Sequence, residues 1–111
     1  LMRPGYYSPA EYRAALAGAA RAIVASGKGL VIETAPRVLV ELAPAGRYNN
    51  VGADQYAEQA RQVAREVGAV LCDRNARPST PDVMPDGVHP VGQLAAQDAQ
   101  ALADCVRAAL R

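Results

Sequence analysis

Apolar side chains recur every three or four residues in three segments of the chain, and two short apolar runs lie between these segments. The first segment opens with Ser8, Pro9 and Glu11, which fit the cap, the first helical position and the reciprocal partner of a capping box. Gly27 is placed to end this helix. Its predicted apolar positions are Tyr12, Leu16, Ala19, Ala20, Ile23 and Val24.

The two other periodic segments also predict helices. Asp54 is placed to cap the second helix and Gly68 to stop it. The apolar face of this helix comprises Tyr56, Ala60, Val63, Ala64 and Val67. The third predicted helix covers about residues 91–110, with an inward stripe of Ala95, Ala99, Leu102, Val106 and Leu110.

The two apolar runs, residues 30–35 (LVIETA) and 69–73 (AVLCD), each follow a predicted helix, as buried parallel strands do. Residues 38–40 (VLV) also fit a strand, but the Pro, Gly and Asn residues around them favour a long irregular excursion. The order helix, strand, helix, strand, helix indicates an α/β fold with a parallel sheet that is covered on both faces.

A sheet of two such strands is incomplete, because buried strands need neighbours on both sides. The sequence contains no internal repeat that would supply further strands. The chain therefore resembles the second half of a larger doubly wound domain, whose first strands are missing or come from another chain. We expect the strand at residues 30–35 to pair on both sides, with at least one neighbour outside these 111 residues.

Composition excludes several classes of function. The 111 residues suffice for about one small domain, and the net charge of +1 comes without any basic stripe, which argues against a nucleic-acid partner. No apolar run approaches the roughly 18 residues of a membrane span, so a soluble protein is expected. The N-terminus has no signal-peptide pattern, and any signal would lie outside this chain. The compartment stays open, with a secreted or periplasmic location as one alternative.

The only histidine, His89, lies in the Pro-rich loop of residues 74–90, within the stretch MPDGVHPVG. This loop leaves the carboxyl end of the second predicted strand, which is where the sites of doubly wound sheets form. Asp86 precedes His89 by three residues, so a tight turn at Gly87 can bring its carboxylate to one ring nitrogen.

Such a pair has a defined chemical use. A neutral imidazole takes a proton from a hydroxyl nucleophile and later returns it to a leaving group, while a carboxylate fixes the tautomer of the ring. The competing interpretation is an exposed loop histidine next to an acid that caps the following helix. Spacing alone leaves both interpretations open.

The block Asp86-Gly87-Val88-His89-Pro90, followed by Gly92 and an Ala-rich amphipathic helix, resembles the last conserved block of the SGNH (GDSL-type) hydrolases. The stretches YRAALAGAARAIVASGKGLVIETAP and YAEQARQVAREVGAVLCD resemble two successive helix–strand units of that family. The resemblance implies a three-layer αβα sandwich of flavodoxin-like type and a serine ester hydrolase. It implies His89 as general base and acid, Asp86 as its orienting acid, and no cofactor. Esters of acetyl or other short acyl groups, including those on carbohydrate, are the substrate range that it implies.

The chain departs from this family at the nucleophile. It lacks the Gly-Asp-Ser block and the Gly and Asn blocks of the oxyanion hole. We therefore expect residues 1–111 to be the C-terminal part of a single SGNH-like domain. The N-terminal part, in the same or a separate chain, would carry the serine, and residues 1–111 alone would not turn over an ester. The alternative is a non-catalytic α/β interaction module that completes another chain.

None of the three serines is a convincing substitute nucleophile. Ser8 is a helix cap, Ser26 is a helix end and Ser79 is a loop residue. None of them lies on the strand-to-helix elbow that such a nucleophile needs. Asp82 could join Asp86 and His89 in a metal site, but zinc requires three or four ligands at defined spacing. A metal site is therefore not favoured.

Other polar residues have structural interpretations that we prefer. Glu33 and Thr34 could line a cleft but more simply finish a strand, and Asp73 is placed to cap local backbone groups. Asn49 and Asn50 could contact a polar substrate, although Asn pairs are ordinary turn residues.

The Tyr and Cys residues also allow two interpretations each. Tyr6 and Tyr7 could form a cleft wall or pack on the first helix. Cys72 and Cys105 could meet if the last helix crosses the second strand, but two buried thiols are preferred over a disulfide.

Overall fold

The computed structural model describes residues 7–42, 50–77 and 80–111. The chain forms three helices and two strands in the predicted order, with one turn of 3₁₀-helix at Arg74–Ala76. These elements are α1 (Pro9–Ala25), β1 (Val31–Thr34), α2 (Asn50–Val67), β2 (Val70–Asp73) and α3 (Gly92–Ala109).

The two strands form a parallel sheet, in which Ile32 is opposite Leu71 and Glu33 is opposite Cys72. Because side chains alternate between the faces of a sheet, Ile32 and Leu71 share one face and Cys72 lies on the other. Ile32 packs with α1 and α2, whereas Cys72 is bonded to α3. The expected mixed α/β fold with helices on both faces of the sheet is thus present. The complete three-layer sandwich stays a prediction.

Small side chains let α1 and α2 approach each other closely above the sheet. The core is formed by Ala17, Ala20, Ile32, Ala60, Val63 and Ala64, each at most 6% exposed. Since these residues bring little volume, the core is filled further by half-buried neighbours such as Tyr12 and Leu16. This layer fixes the position of α2 relative to β1 and β2.

The first helix begins and ends as its sequence predicts. The Ser8 hydroxyl accepts the backbone N–H of Glu11 at 3.2 Å, and the Glu11 carboxylate accepts the backbone N–H of Ser8 at 3.0 Å. Ser26 donates its hydroxyl to the carbonyl of Ile23 at 2.6 Å, and Gly27 follows with a φ of 83°. Both serines therefore stabilise helix ends, as expected.

The second helix begins one turn earlier than predicted. It starts at Asn50, and Asp54 lies inside it, so the prediction that Asp54 caps the helix is wrong. The Asp54 carboxylate instead accepts from the Arg37 guanidinium and from the Asn75 amide, both at 3.0 Å. Residues 38–40 form no strand, as the favoured interpretation of that segment states.

The third helix turns a different face to the sheet than predicted. Leu94 is buried, but Leu102, Val106 and Leu110 of the predicted inward stripe are 41%, 43% and 80% exposed. Cys105, which is joined to β2 through a disulfide, and Asp98 lie on the face that α3 turns to the sheet. Within the part of the chain that the structure describes, this apolar stripe is therefore exposed to solvent.

Cys72 and Cys105 form a disulfide with a Cα–Cα distance of 5.9 Å. The prediction of two separate buried thiols is therefore wrong. The geometric condition for a disulfide is met, because α3 crosses β2 at Cys72 and brings the two Cα atoms within bonding range. No described helix is long and apolar enough to cross a membrane.

Candidate functional site

The loop that carries Asp86 and His89 is held at its base and at its turn. The Val91 N–H donates to the carbonyl of Val83 at 2.8 Å and closes the base of the loop. Inside it, the Gly87 N–H donates to the carbonyl of Met84 at 2.9 Å, which forms a β-turn. The Met84 side chain is completely buried and anchors this turn to the protein. The loop is therefore a fixed platform between β2 and α3.

Asp86 and His89 are brought together as the sequence predicts. The His89 Nδ1 lies 2.6 Å from the Asp86 Oδ2. The other carboxylate oxygen, Oδ1, accepts the backbone N–H of Val88 at 2.8 Å and that of His89 at 2.7 Å. The expected contact between the Asp86 carboxylate and one ring nitrogen of His89 is thus confirmed as a hydrogen bond.

Gly87 makes this local geometry accessible. Its φ of 79° lies in the left-handed region, which side chains with a Cβ rarely adopt. The turn lets the carboxylate of Asp86 fold back and accept the backbone N–H groups of Val88 and His89. A substitution with a Cβ at Gly87 would strain the turn that joins Asp86 to His89.

The hydrogen bonds also determine which ring nitrogen carries the proton. The His89 backbone N–H, the His89 ring and the Val88 backbone N–H, in that order, hold the pKa of Asp86 well below its ordinary value. The carboxylate is consequently ionised at neutral pH and can only accept hydrogen bonds. Nδ1 must therefore be the donor, so a neutral ring has its free lone pair on Nε2. The ring is 78% exposed and is open to a substrate or to another part of the protein.

A second polar cluster joins the carboxyl ends of β1 and β2. Thr34 donates its hydroxyl to Asp73 at 2.8 Å and accepts the backbone N–H of Asn75 at 2.9 Å. The Arg61 guanidinium donates to Asp73 through Nε at 2.7 Å and to Asn75 through a terminal nitrogen at 2.9 Å. Thr34 is 3% exposed, so it finishes the strand and does not line an open cleft.

Asp73 is held mainly by side chains, and the local backbone capping that was expected makes a smaller contribution through the backbone N–H of Ala76. The hydrogen bond from Arg61, assisted by that from Thr34, lowers the pKa of Asp73 against the opposing effect of burial. The hydrogen bond from Asn75 is the main cause of the lowered pKa of Asp54. Both carboxylates are therefore charged members of a network that ties α2 to the strand ends.

On the other face of the sheet, Arg74 bridges β1 and α3. It donates to Glu33 and to Asp98, each at 3.0 Å. Arg77 forms a further ion pair with Asp98, whose side chain is 13% exposed. Glu33 is thus a structural residue, and Asp98 fixes α3 at the turn that follows β2.

Asp73→Asn should destabilise the protein, because the partly buried guanidinium of Arg61 would lose its charged acceptor. We expect the free energy of unfolding at pH 7 to fall by about 1 to 3 kcal/mol. Since the folded-state pKa of Asp73 is depressed, its contribution is present above the unfolded-state pKa of about 3.9 and is lost as the pH falls further. Urea denaturation at pH 7 and pH 3 should therefore show a smaller acid sensitivity in the variant. Glu41→Gln, at an exposed carboxylate, is the control, and equal effects of the two substitutions would contradict the prediction.

The remaining candidates are separated from the pair or lie outside the described residues. Asn50 contacts the backbone of Val38, and the backbone carbonyl of Tyr7 accepts the hydroxyl of Tyr56. Ser79, Asn49 and Tyr6 lie outside the described residues. Across residues 7–42, 50–77 and 80–111, no group of three or more His, Cys, Asp or Glu side chains could hold a metal ion. The structure thus brings Asp86 and His89 together, and Asp82 forms no metal-binding group with them.

Arg61, Arg74 and Asp98 were not identified from the sequence. A strand-terminal acid such as Asp73 indicates a cationic partner, but the sequence offers several arginines on predicted helices. Their contacts join residues 12 to 41 positions apart in the chain, which no local pattern specifies.

Comparison with known proteins supports the α/β hydrolase fold. One solved structure, that of LAE5, an α/β hydrolase enzyme from the metagenome of Lake Arreo in Spain, superposes with a TM-score of 0.62 at 26% sequence identity. The match covers 98% of this chain and 50% of LAE5, so the chain spans half the length of that enzyme. Neither a protein-family model nor a curated protein sequence matches the chain. The chain is therefore similar to half of an α/β hydrolase.

Proposed function

We propose that this chain supplies the general base and its orienting acid to a serine ester hydrolase of the SGNH (GDSL) type. The observation that carries the proposal is the hydrogen bond of 2.6 Å between His89 Nδ1 and Asp86 Oδ2. It leaves Nε2 free to accept a proton, on an exposed ring beyond the carboxyl ends of parallel strands. The likeness to LAE5 supports hydrolase chemistry in general.

The mechanism is acyl transfer in two halves. Nε2 of His89 takes the serine proton as the serine oxygen attacks the ester carbonyl, and Asp86 stabilises the imidazolium that forms. The ring then gives this proton to the leaving alcohol, and an acyl-enzyme remains. Water, deprotonated by the same nitrogen, attacks the acyl group, and the proton returns to the serine. No step requires a cofactor.

The serine and the oxyanion hole belong, in this proposal, to an N-terminal part of the same domain, in the same or a separate chain. Within the described ranges, β1 pairs only with β2, so its other edge presents unpaired backbone groups. Beside β1, Leu16, Ile23 and Leu30 line an open groove of about 190 Å³. A further parallel strand would pair with that edge and cover the groove. The greater length of LAE5 agrees with such a second half.

The exposed stripe on α3 supports the same completion. Leu102, Val106 and Leu110 lie on one helix face, and an apolar face of this kind is ordinarily covered in a folded domain. With the missing half in place, residues 1–111 would be the C-terminal part of one three-layer αβα sandwich of flavodoxin-like type. Esters of acetyl or other short acyl groups, including acylated carbohydrate, are the proposed substrates. The disulfide favours a secreted or periplasmic location.

The test compares the 111-residue chain with the full-length assembly on p-nitrophenyl acetate. The assembly should hydrolyse this ester, and a serine-directed phosphonate inhibitor should abolish the activity. The 111-residue chain should show no turnover above background, because its described serines both stabilise helix ends. Inhibitor-sensitive turnover by the 111-residue chain would refute the separate nucleophile.

A non-catalytic interaction module is the second candidate. The unpaired edge of β1 and the apolar stripe of α3 favour completion by another polypeptide whether or not catalysis follows. This candidate expects a stable assembly without turnover. A Gly-Asp-Ser sequence in the completing part, together with measurable hydrolysis, would exclude it.

A further inference from the structure

Asn50 at the start of α2 binds both backbone groups of Val38. Its Oδ1 accepts the Val38 N–H at 2.8 Å, and its Nδ2 donates to the Val38 carbonyl at 2.7 Å. The Val38 carbonyl and the Leu39 N–H belong to one planar trans peptide group, so they point in opposite directions. Fixing the carbonyl therefore also fixes the direction of the Leu39 N–H. That N–H donates to the Gly87 carbonyl at 2.8 Å.

The same geometry repeats in the loop of the site. The Gly87 carbonyl and the Val88 N–H share a second planar peptide group. The Val88 N–H donates to Asp86 Oδ1 at 2.8 Å, and Asp86 Oδ2 holds the His89 ring at 2.6 Å. A continuous series of hydrogen bonds thus leads through two peptide groups to the imidazole. Series of this kind polarise and align their members cooperatively.

We infer that Asn50 is a positioning residue for the Asp86–His89 pair. Its side-chain amide orients the first peptide group, which in turn orients the second peptide group and the carboxylate that holds the ring. The catalytic part of this inference rests on the proposed function, whereas the structural part does not. The Asn50 side chain hydrogen-bonds Val38 and neither Asp86 nor His89, so it acts on the pair through the two intervening peptide groups.

Asn50→Asp separates this role from that of a residue that only stabilises the start of α2. Aspartate is as favourable as asparagine at the start of a helix, and it can still accept the Val38 N–H. It cannot donate to the Val38 carbonyl, so the first peptide group loses its orientation. Asn50→Ala removes both bonds, and Gln55→Ala, at an exposed amide one turn further along α2, is the matched control.

The structural readout is NMR on the protein and its variants. In Asn50→Asp and Asn50→Ala, the Leu39 amide should exchange with solvent about tenfold faster or more, since its acceptor is no longer aligned. The Nδ1–H signal of His89, the only histidine, should weaken or broaden. Gln55→Ala should leave both readouts unchanged. Wild-type Leu39 exchange in Asn50→Asp would overturn the inference.

The kinetic readout is hydrolysis of p-nitrophenyl acetate by the same variants. Misplacement of the general base should lower kcat by about ten- to a hundredfold while KM changes little. If His89→Ala abolishes turnover but Asn50→Asp keeps the wild-type kcat and Leu39 exchange, the positioning role is wrong and the proposed function stands. If Asn50→Asp alters Leu39 and His89 while His89→Ala retains turnover, the positioning stands and the proposed function is wrong.

Discussion

In the proposed hydrolase, His89→Ala should lower kcat/KM for p-nitrophenyl acetate by about a thousandfold or more, because the members of a catalytic triad act as a unit. Without the imidazole, no group accepts the serine proton as the carbonyl is attacked. Initial rates of p-nitrophenyl acetate hydrolysis over a range of substrate concentrations provide the measurement.

Asp86→Asn gives the graded counterpart to this experiment. The amide cannot stabilise the imidazolium as a carboxylate does, so activity should fall, but by less than in His89→Ala. Asp82→Asn is the matched control, because Asp82 is an exposed acid in the same loop. Full activity in His89→Ala would end the hydrolase proposal, and equal losses in the two Asp variants would remove the specific role of Asp86.

The elements and the Asp86–His89 pair were predictable because their determinants are local. The capping box of Ser8 and Glu11 and the glycines after α1 and α2 fix helix ends through contacts a few residues apart. Asp86 and His89 are also separated by only three positions, and Gly87 determines the turn between them. Spacing indicated the hydrogen bond, and the structure confirms its geometry.

The start of α2 and the polar clusters were less predictable, because long-range partners decide them. Asn50 is an ordinary turn residue by composition, and its contact with Val38 joins positions 12 apart in the chain. The pairing of Thr34 with Asp73 joins positions 39 apart, which only the register of the two strands brings together. Residue type indicates that such groups need partners, but the fold determines which partners they find.

The face of α3 shows how one covalent contact overrides an apolar pattern. The sequence favoured the stripe that ends in Leu102, Val106 and Leu110, which is the most apolar face. The disulfide at Cys105 and the ion pairs of Asp98 turn another face to the sheet. The predicted stripe is then exposed on the described residues, where the proposed second half of the domain would cover it.

Removal of the disulfide should have the largest effect on stability. The bond closes a loop between residues 33 positions apart, so it restricts the unfolded chain. The double variant Cys72→Ala/Cys105→Ala should lose about 2 to 4 kcal/mol in the free energy of unfolding, measured by urea denaturation. Dithiothreitol should destabilise the wild-type protein by a similar amount and leave the double variant unchanged. That second comparison is the control, because the reductant has no other cysteine to act on. Two results together would show that the bond does not form. The denaturation midpoint of the wild-type protein would be insensitive to dithiothreitol, and both thiols would be alkylated after unfolding without reductant. The position of α3 would then depend on the ion pairs of Asp98 with its two arginines and on the burial of Leu94.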